Sequence, residues 1–291
     1  MQIDLHSLWP AYKLIDSGDG AKLEKFGDYS LIRPEPLAKH KPALSRKEWE
    51  LIAHGEFIQE SRTKGQWRMI KPFPARWNMP LSIGDLHLNI ELRRSGFKHI
   101  GVFPEQILNW RFITDAAREK EGAKLLNLFG YTGVMSLVAA AAGCRVTHVE
   151  ALKQLNQWGK ENMLANNLDG IRWIADDVVK FCEKEGRRGN TYDFVVLDPP
   201  AFGLGKNGKT WRLQRDLLPL MQQITRLLKP GAHVVLSMYA QNVDPDKLCR
   251  EIEQSTPLCL HDKQVVEGTS DHGTTVNHGY IFRFSAQTEP S

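Results

Sequence analysis

Residues 124 to 150, KLLNLFGYTGVMSLVAAAAGCRVTHVE, constrain the fold more than any other stretch of the chain. The apolar run of Leu125, Leu126 and Leu128 reads as a buried strand, and it stops at a turn bearing Gly130 and Gly133. Small apolar residues continue as a helix, and RVTHVE then forms a second strand that closes on Glu150. Two strands joined through a helix lie parallel, so the chain commits here to a parallel sheet covered by helices. The layout also suits an adenosine-containing ligand. Glycines let a ligand approach the backbone, and the helix start offers N–H groups. A carboxylate about 20 residues past the turn accepts hydrogen bonds from both ribose hydroxyls.

The alternation continues to the end of the chain. ALKQLNQWGKENMLANN reads as a helix with Leu152, Leu155, Met163 and Leu164 on its apolar side. IRWIA is a third strand, ending at Asp176 and Asp177, and VVKFCEKE is the next helix. YDFVVLDPP is a fourth strand, and RLQRDLLPLMQQITRLLK is a long amphipathic helix stopped by Pro230 and Gly231. HVVLSMYA is a fifth strand, DPDKLCREIEQ a helix, and CLHDKQVVE and HGYIFRFS are two last strands. The expectation is an α/β, Rossmann-like, doubly wound and mostly parallel sheet over residues 123–291. Residues 1–80 differ. They are rich in Pro, Gly and Trp, with strand-like pieces YKLIDSG, DYSLIRP and GQWRMI between turn signals, and they read as a small β-rich domain. Residues 81–122 read as a connector, a hairpin around IGD and then a helix with Ile107, Trp110, Arg111 and Thr114 at helical spacing.

Composition narrows the class. With 42% hydrophobic and 25% charged residues the chain is an ordinary globular protein. It contains no apolar run of about 18 residues, so no membrane partner is expected. The start, MQIDLHSLWPAYKL, lacks the pattern of a secretory leader. Cys144, Cys182, Cys249 and Cys259 are scattered and form no CxxC pair, which fits a reducing cytoplasm. Residues 39–98 carry 12 Lys and Arg against 6 Asp and Glu, with Trp49, Trp67 and Trp77 among them. That mixture suits phosphates and exposed bases, and equally a small domain with a Trp core and a solvated charged face.

A nicotinamide fingerprint places a glycine where Leu128 stands, leaving Gly130 and Gly133 alone. A diphosphate requires that stripped-down turn; an adenosine carried on an amino-acid tail does not. Glu150 closes the second strand. Asp177 closes the third and reaches toward an adenine amino group, with Asp176 as the competitor, because a register of one residue decides which faces the ligand. Each alone is an ordinary strand-end carboxylate, but carboxylates at successive strand ends are not ordinary. LDPPAFG, residues 197–203, is the strongest catalytic signal. Its prolines take the chain stiffly out of the sheet, so Asp198 and Pro199 hold acceptors in one place, where they steady a substrate nitrogen. Phe202 walls a planar base. The following LGKNGKTWRLQR carries Lys206, Lys209, Arg212 and Arg215 and no acidic residue. It reads as a phosphate grip with Trp211 stacking on an extruded base, or as a solvated loop. His272 and His278 read as loop residues with no metal role.

NLFGYTG, Glu150, the Asp176–Asp177 pair and DPPAF together resemble the class I S-adenosylmethionine-dependent methyltransferases. Within them they are most similar to the group that modifies bases of large-subunit ribosomal RNA, whose fourth motif reads DPPxF. The resemblance covers about residues 95–285. FPEQ, residues 103–106, is similar to a family segment just ahead of the core. The resemblance implies S-adenosyl-L-methionine as cofactor, bound by Phe103, Gln106, Asn127, Phe129, Gly130, Thr132, Gly133, Glu150, Asp177 and Asp198. It implies catalysis by Asp198, Pro199 and Phe202, RNA contacts at Lys206, Lys209, Trp211 and Arg212, and a reversed hairpin at the end of the sheet.

One departure bears on the chemistry. Relatives that make 5-methylcytosine carry a nucleophilic cysteine just after the fifth strand, because a carbon acceptor needs covalent activation. Here that stretch reads LSMYAQN, so the expected acceptor is a nitrogen that attacks directly. The N-terminal residues also show no match to the RNA-binding domain often attached to that group. The rivals are a methyltransferase acting on a protein or small molecule, a nicotinamide-dependent oxidoreductase, and an RNA-binding module with a relic pocket.

Overall fold

The computed structural model describes residues 2–61, 64–204, 210–239 and 243–287. The chain forms two compact units, Met1–Leu108 with Val266–His278, and Asn109–Val265 with Gly279–Ser291. The boundary therefore falls inside the stretch read as a connector, and a late segment returns to the first unit. That return follows from polar contacts no linear reading shows. Thr274 Oγ1 donates to the buried carboxylate of Asp16 at 3.1 Å, and Lys13 pairs with Asp271 at 2.8 Å.

The first unit contains β1 (Gln2–Ile3), α1 (Leu5–Leu8), β2 (Tyr12–Gly18), β3 (Ala21–Phe26), β4 (Tyr29–Pro34), α2 (Arg46–Ile52), β5 (Gly55–Gln59), β6 (Gly65–Met69), β7 (Arg76–Ile83) and β8 (Leu86–Arg93). Strands β2 to β6 make one sheet in sequence order, antiparallel except for the β4–β5 pair. β3 hides from a sequence reading because AKLEKF looks polar, yet its Glu24 is fully buried. There Arg33 donates to Glu24 Oε2 from Nε at 2.8 Å and from its NH2 group at 2.6 Å. Tyr12 donates to Glu24 Oε1 at 2.9 Å. The hairpin β7–β8 turns at IGD, as read, but its strands begin at Arg76, since Pro80 is tolerated in a two-stranded ribbon. Trp49 and Trp77 are buried, and their indoles donate to Asp16 and to the Phe26 carbonyl. The aromatics among the basic residues are therefore largely core.

The second unit takes its helix α3 (Ile107–Arg118) from Asn109 onward. It continues with β9 (Lys124–Leu128), α4 (Val134–Ala141), β10 (Arg145–Val149), α5 (Lys153–Ala165), β11 (Arg172–Ile174), α6 (Val178–Arg187) and β12 (Tyr192–Leu197). After these come β13 (Phe202–Leu204), β14 (Thr210–Arg212), α7 (Leu213–Thr225), β15 (Leu228–Met238), α8 (Pro245–Ser255), β16 (Leu258–Thr269) and β17 (Thr275–Ala286). The last two strands end and begin, respectively, in the first unit. The sheet order is β11-β10-β9-β12-β15-β17-β16. The first five strands pair in parallel and β17 runs antiparallel to β15, the reversed hairpin the resemblance implied. Every residue of β12 is buried, as a central strand covered on both faces requires.

Three readings need correction. The buried face of α5 is Asn156, Trp158, Gly159 and Asn162, while Leu152 and Leu164 are exposed. That helix docks through amides and a glycine: Asn156 Nδ2 donates to the Glu150 carbonyl at 2.8 Å. In α3, Arg111 faces solvent and Ile113 takes the inward place, because a guanidinium keeps its hydration. Helix α7 ends at Thr225, well before Pro230, since Tyr192 N bonds the Leu227 carbonyl and β15 starts at Leu228.

Candidate active site

Strand registers line up the site. Leu128 of β9 is level with Val149 of β10 and with Leu197 of β12; Val149 is level with Ile174 of β11, and Leu197 with Leu236 of β15. These are the last or nearly last residues of their strands. Phe129, Glu150, Ala175 and Asp198 therefore begin four loops on one edge of the sheet, with neighbouring strands about 4.8 Å apart. The chain runs outward from β9 to β11 and then returns to the other side of β9 as β12. The crevice at such a reversal is where open α/β sheets bind ligands. The glycine turn and the Asp198 loop flank it.

The turn is strained where the sequence reading placed no strain. Phe129 (φ 55°) and Tyr131 (φ 53°) adopt the left-handed conformation, which is uncommon for bulky side chains. Gly133 (φ 82°) caps α4 in the same region, whereas Gly130 does not lie there. Gly130 is required for space. A Cβ on it would lie 2.3 Å from His148 Cε1, and one on Gly133 would lie 2.7 Å from Trp173 Cη2. Thr132 is buried, and Asn127 is buried with its Nδ2 donating to Ser136 Oγ at 3.0 Å.

Glu150 is half-buried. Its Oε2 accepts from Tyr131 N at 3.2 Å and its Oε1 from Leu152 N at 2.9 Å. A carboxylate has about four acceptor directions, so both oxygens keep capacity for hydroxyl donors. Burial raises its pKa, against the lowering by these backbone bonds. Asp176 is engaged with Lys184 at 2.6 Å and also accepts from Asp177 N. Asp177 caps α6 through Oδ1, which accepts from Lys180 N at 3.1 Å; its other oxygen has no hydrogen-bond partner among the described residues.

After β12, Asp198 is half-buried, Pro199 buried and Pro200 exposed. Strands β13 and β14 form a short hairpin that sets Gly203 opposite Trp211. Trp211 donates from Nε1 to the Pro200 carbonyl at 2.7 Å and packs on Phe129 with ring centroids 5.0 Å apart. The indole thus ties the proline loop to the glycine turn, a role the sequence reading did not give it. Phe202 is 39% exposed and so has surface to offer a planar ligand. Arg212 is exposed and its backbone N–H is capped by Asp216. Lys206 and Lys209 lie outside the described residues.

Cys144, Cys182 and Cys249 are buried, and burial pushes their thiols up to about 11, 12 and 11. Phe103 and Gln106 belong to the first unit, where they bound the single turn Pro104–Gln106, and Phe103 packs on His99. His278 stands on β17, not in a loop, with Nδ1 3.8 Å from Glu105 Oε2. Among the described residues no group of His, Cys, Asp or Glu is arranged to hold a metal ion, and no helix is long and apolar enough to cross a membrane.

A sequence model of the S-adenosylmethionine-dependent methyltransferases matches residues 65–274. The chain belongs to that family. This methyltransferase is 35% identical to a solved SAM-dependent methyltransferase from Agrobacterium tumefaciens, with a TM-score of 0.86 over 96% of this chain and 91% of that one. A putative methyltransferase solved with SAH shares the fold, with a TM-score of 0.77 at 18% identity over 98% of this chain and 83% of that one. Among curated proteins, the ribosomal RNA large subunit methyltransferase K/L of Pseudoalteromonas atlantica is 30% identical over 82% of this chain. The chain spans about 35% of that relative's length. The cofactor is therefore S-adenosylmethionine, and the nicotinamide alternative falls away.

Proposed function

We propose that the enzyme methylates a nitrogen of a base in ribosomal RNA by direct transfer. The observation that carries the reading is the register that brings the Asp198 loop and the glycine turn together on the two sides of the crevice. The curated relatives' names support RNA of the large subunit as substrate.

The residues fit the cofactor. Glu150, with acceptor capacity on both oxygens, takes the ribose hydroxyls, and Asp177, through the oxygen that does not cap α6, takes the adenine amino group. Asn127, Phe129, Gly130, Thr132 and Gly133 shape the methionine side. When bound, the group supplies a methyl on a positively charged sulfur. The protein's part is positioning. The proline-stiffened loop holds Asp198 as an acceptor for a substrate N–H, which orients the nitrogen lone pair and removes its proton. Phe202 stacks on the base, and Arg212 with Lys206 and Lys209 grips phosphates. Cys144, Cys182 and Cys249, buried with their thiols held protonated, are poor nucleophiles, which supports a route that does not use them.

Glu150→Ala is expected to weaken S-adenosylhomocysteine binding by about 1–3 kcal/mol, since two hydroxyls lose their acceptor. Calorimetry checks this, and an unchanged affinity would remove Glu150 from the site. For the substrate, purified enzyme and labelled S-adenosylmethionine are incubated with ribosomal RNA from cells lacking the gene. Label in an N-methylated nucleoside of large-subunit RNA is expected, falling steeply as salt rises. Label appearing instead on peptides or metabolites, insensitive to salt, would overturn the RNA assignment.

A further inference from the structure

We propose that His148 is a positioning residue for the cofactor, a buried anvil that sets the shape of the glycine turn. The proposal rests on the assignment of that turn to S-adenosylmethionine. His148 lies on β10, fully buried, two residues before Glu150. Its ring packs on Trp173 of β11 with centroids 4.5 Å apart, and its Nδ1 lies 3.0 Å from Ser136 Oγ on α4. Ser136 Oγ in turn receives Asn127 Nδ2 from β9. The imidazole is thereby held between Trp173 of β11 and Ser136 of α4, and burial holds it neutral, with its pKa lowered to about 3. Nε2 has no hydrogen-bond partner among the described residues.

A Cβ on Gly130 would meet Cε1 at 2.3 Å, Nδ1 at 2.5 Å and Nε2 at 3.0 Å. The turn backbone therefore lies directly on the imidazole. Trp173 extends the same platform: a Cβ on Gly133 would approach it to 2.7 Å, and one on Gly159 of α5 to 2.4 Å. Left-handed Phe129 and Tyr131 flank Gly130, and such conformations persist only where surroundings over-determine them. Pressed from below by His148 and held by Gly130 N on the Val149 carbonyl, the turn delivers Tyr131 N to Glu150. His148 thus governs the carboxylate and the turn from beneath, with Gly130 interposed.

The test is a double-mutant cycle read by calorimetry with S-adenosylhomocysteine and by steady-state kinetics. Gly130→Ala is expected to weaken binding about tenfold or more, because a clamped ring has nowhere to move. His148→Ala removes the obstacle, so the double variant binds tighter than Gly130→Ala alone. His148→Ala by itself raises KM for S-adenosylmethionine several-fold and leaves kcat within about twofold. The proposal is overturned if the folded double variant binds no better than Gly130→Ala, or if His148→Ala lowers kcat with KM unchanged. Should Gly130→Ala not fold, the KM-against-kcat split of His148→Ala decides alone. Wild-type protein that bound no S-adenosylhomocysteine would overturn the site assignment itself, and this proposal with it.

Discussion

Asp198→Ala is expected to lower turnover by about 10²–10⁴-fold, the range for losing a positioned acid–base group. S-adenosylhomocysteine affinity should stay within a few-fold, because Glu150 and the glycine turn stand on other strands. The physical basis is placement. Asp198 follows Leu197, the last residue of the fully buried β12, and Pro199 and Pro200 restrict the backbone beyond it. Trp211 adds a further tie through the Pro200 carbonyl. An acceptor held this firmly loses little entropy when it orients a substrate nitrogen. Asp198→Asn keeps the shape and removes the charge, and it should fall with the alanine variant. Single-turnover assays alongside calorimetry make the comparison. Turnover near wild type in both variants would take Asp198 out of the mechanism.

Glu24→Gln is expected to destabilise the first unit by about 3–5 kcal/mol, the cost of breaking a buried ion pair on one side. Arg33 and Lys22 would stay buried with the carboxylate they share gone. The same group leaves a signature in acid. The Arg33 and Lys22 charges outweigh burial and hold Glu24 at about 2, below the ordinary glutamate value of 4.5. A depressed carboxylate contributes stability that is complete above its unfolded pKa and is lost as pH falls through the folded one. Wild-type stability should therefore decline between about 4.5 and about 2 through this group, and the variant should show a flatter acid limb. Denaturant unfolding at a series of pH values tests both claims. An equal acid slope in the two proteins would place the loss elsewhere.

How much of this was legible beforehand depends on the range of the interactions. The parallel sheet and the strand-end carboxylates follow from apolar runs, turn residues and carboxylates lying close together along the chain, whereas the reversed hairpin was implied by the family resemblance. Gly130 shows the limit. A glycine in a strand-to-helix turn is visible in the sequence, but its reason is the imidazole of residue 148, reached only when β9 and β10 pair. The left-handed conformations of Phe129 and Tyr131 belong to residues whose local preference opposes them, so no local rule points there. Trp211 reads as a base-stacking aromatic in a basic loop, and its packing on Phe129 from a different strand end shows only in the folded chain. In α5, exposed leucines and buried asparagines invert the usual pattern, and Asn156 satisfies the Glu150 carbonyl through its side-chain amide.

The chain alone therefore determined the alternation of parallel strands and helices in the second unit, and with it the edge of the sheet that carries the chemistry. Periodicity and turn residues act over a few positions, and parallel crossovers leave little freedom beyond them. Folding in three dimensions decided what holds each loop in its working shape, and it recruited residues 266–278 to the first unit. Those outcomes come from contacts between segments far apart in sequence, whose strength depends on burial and on distances of a few ångströms.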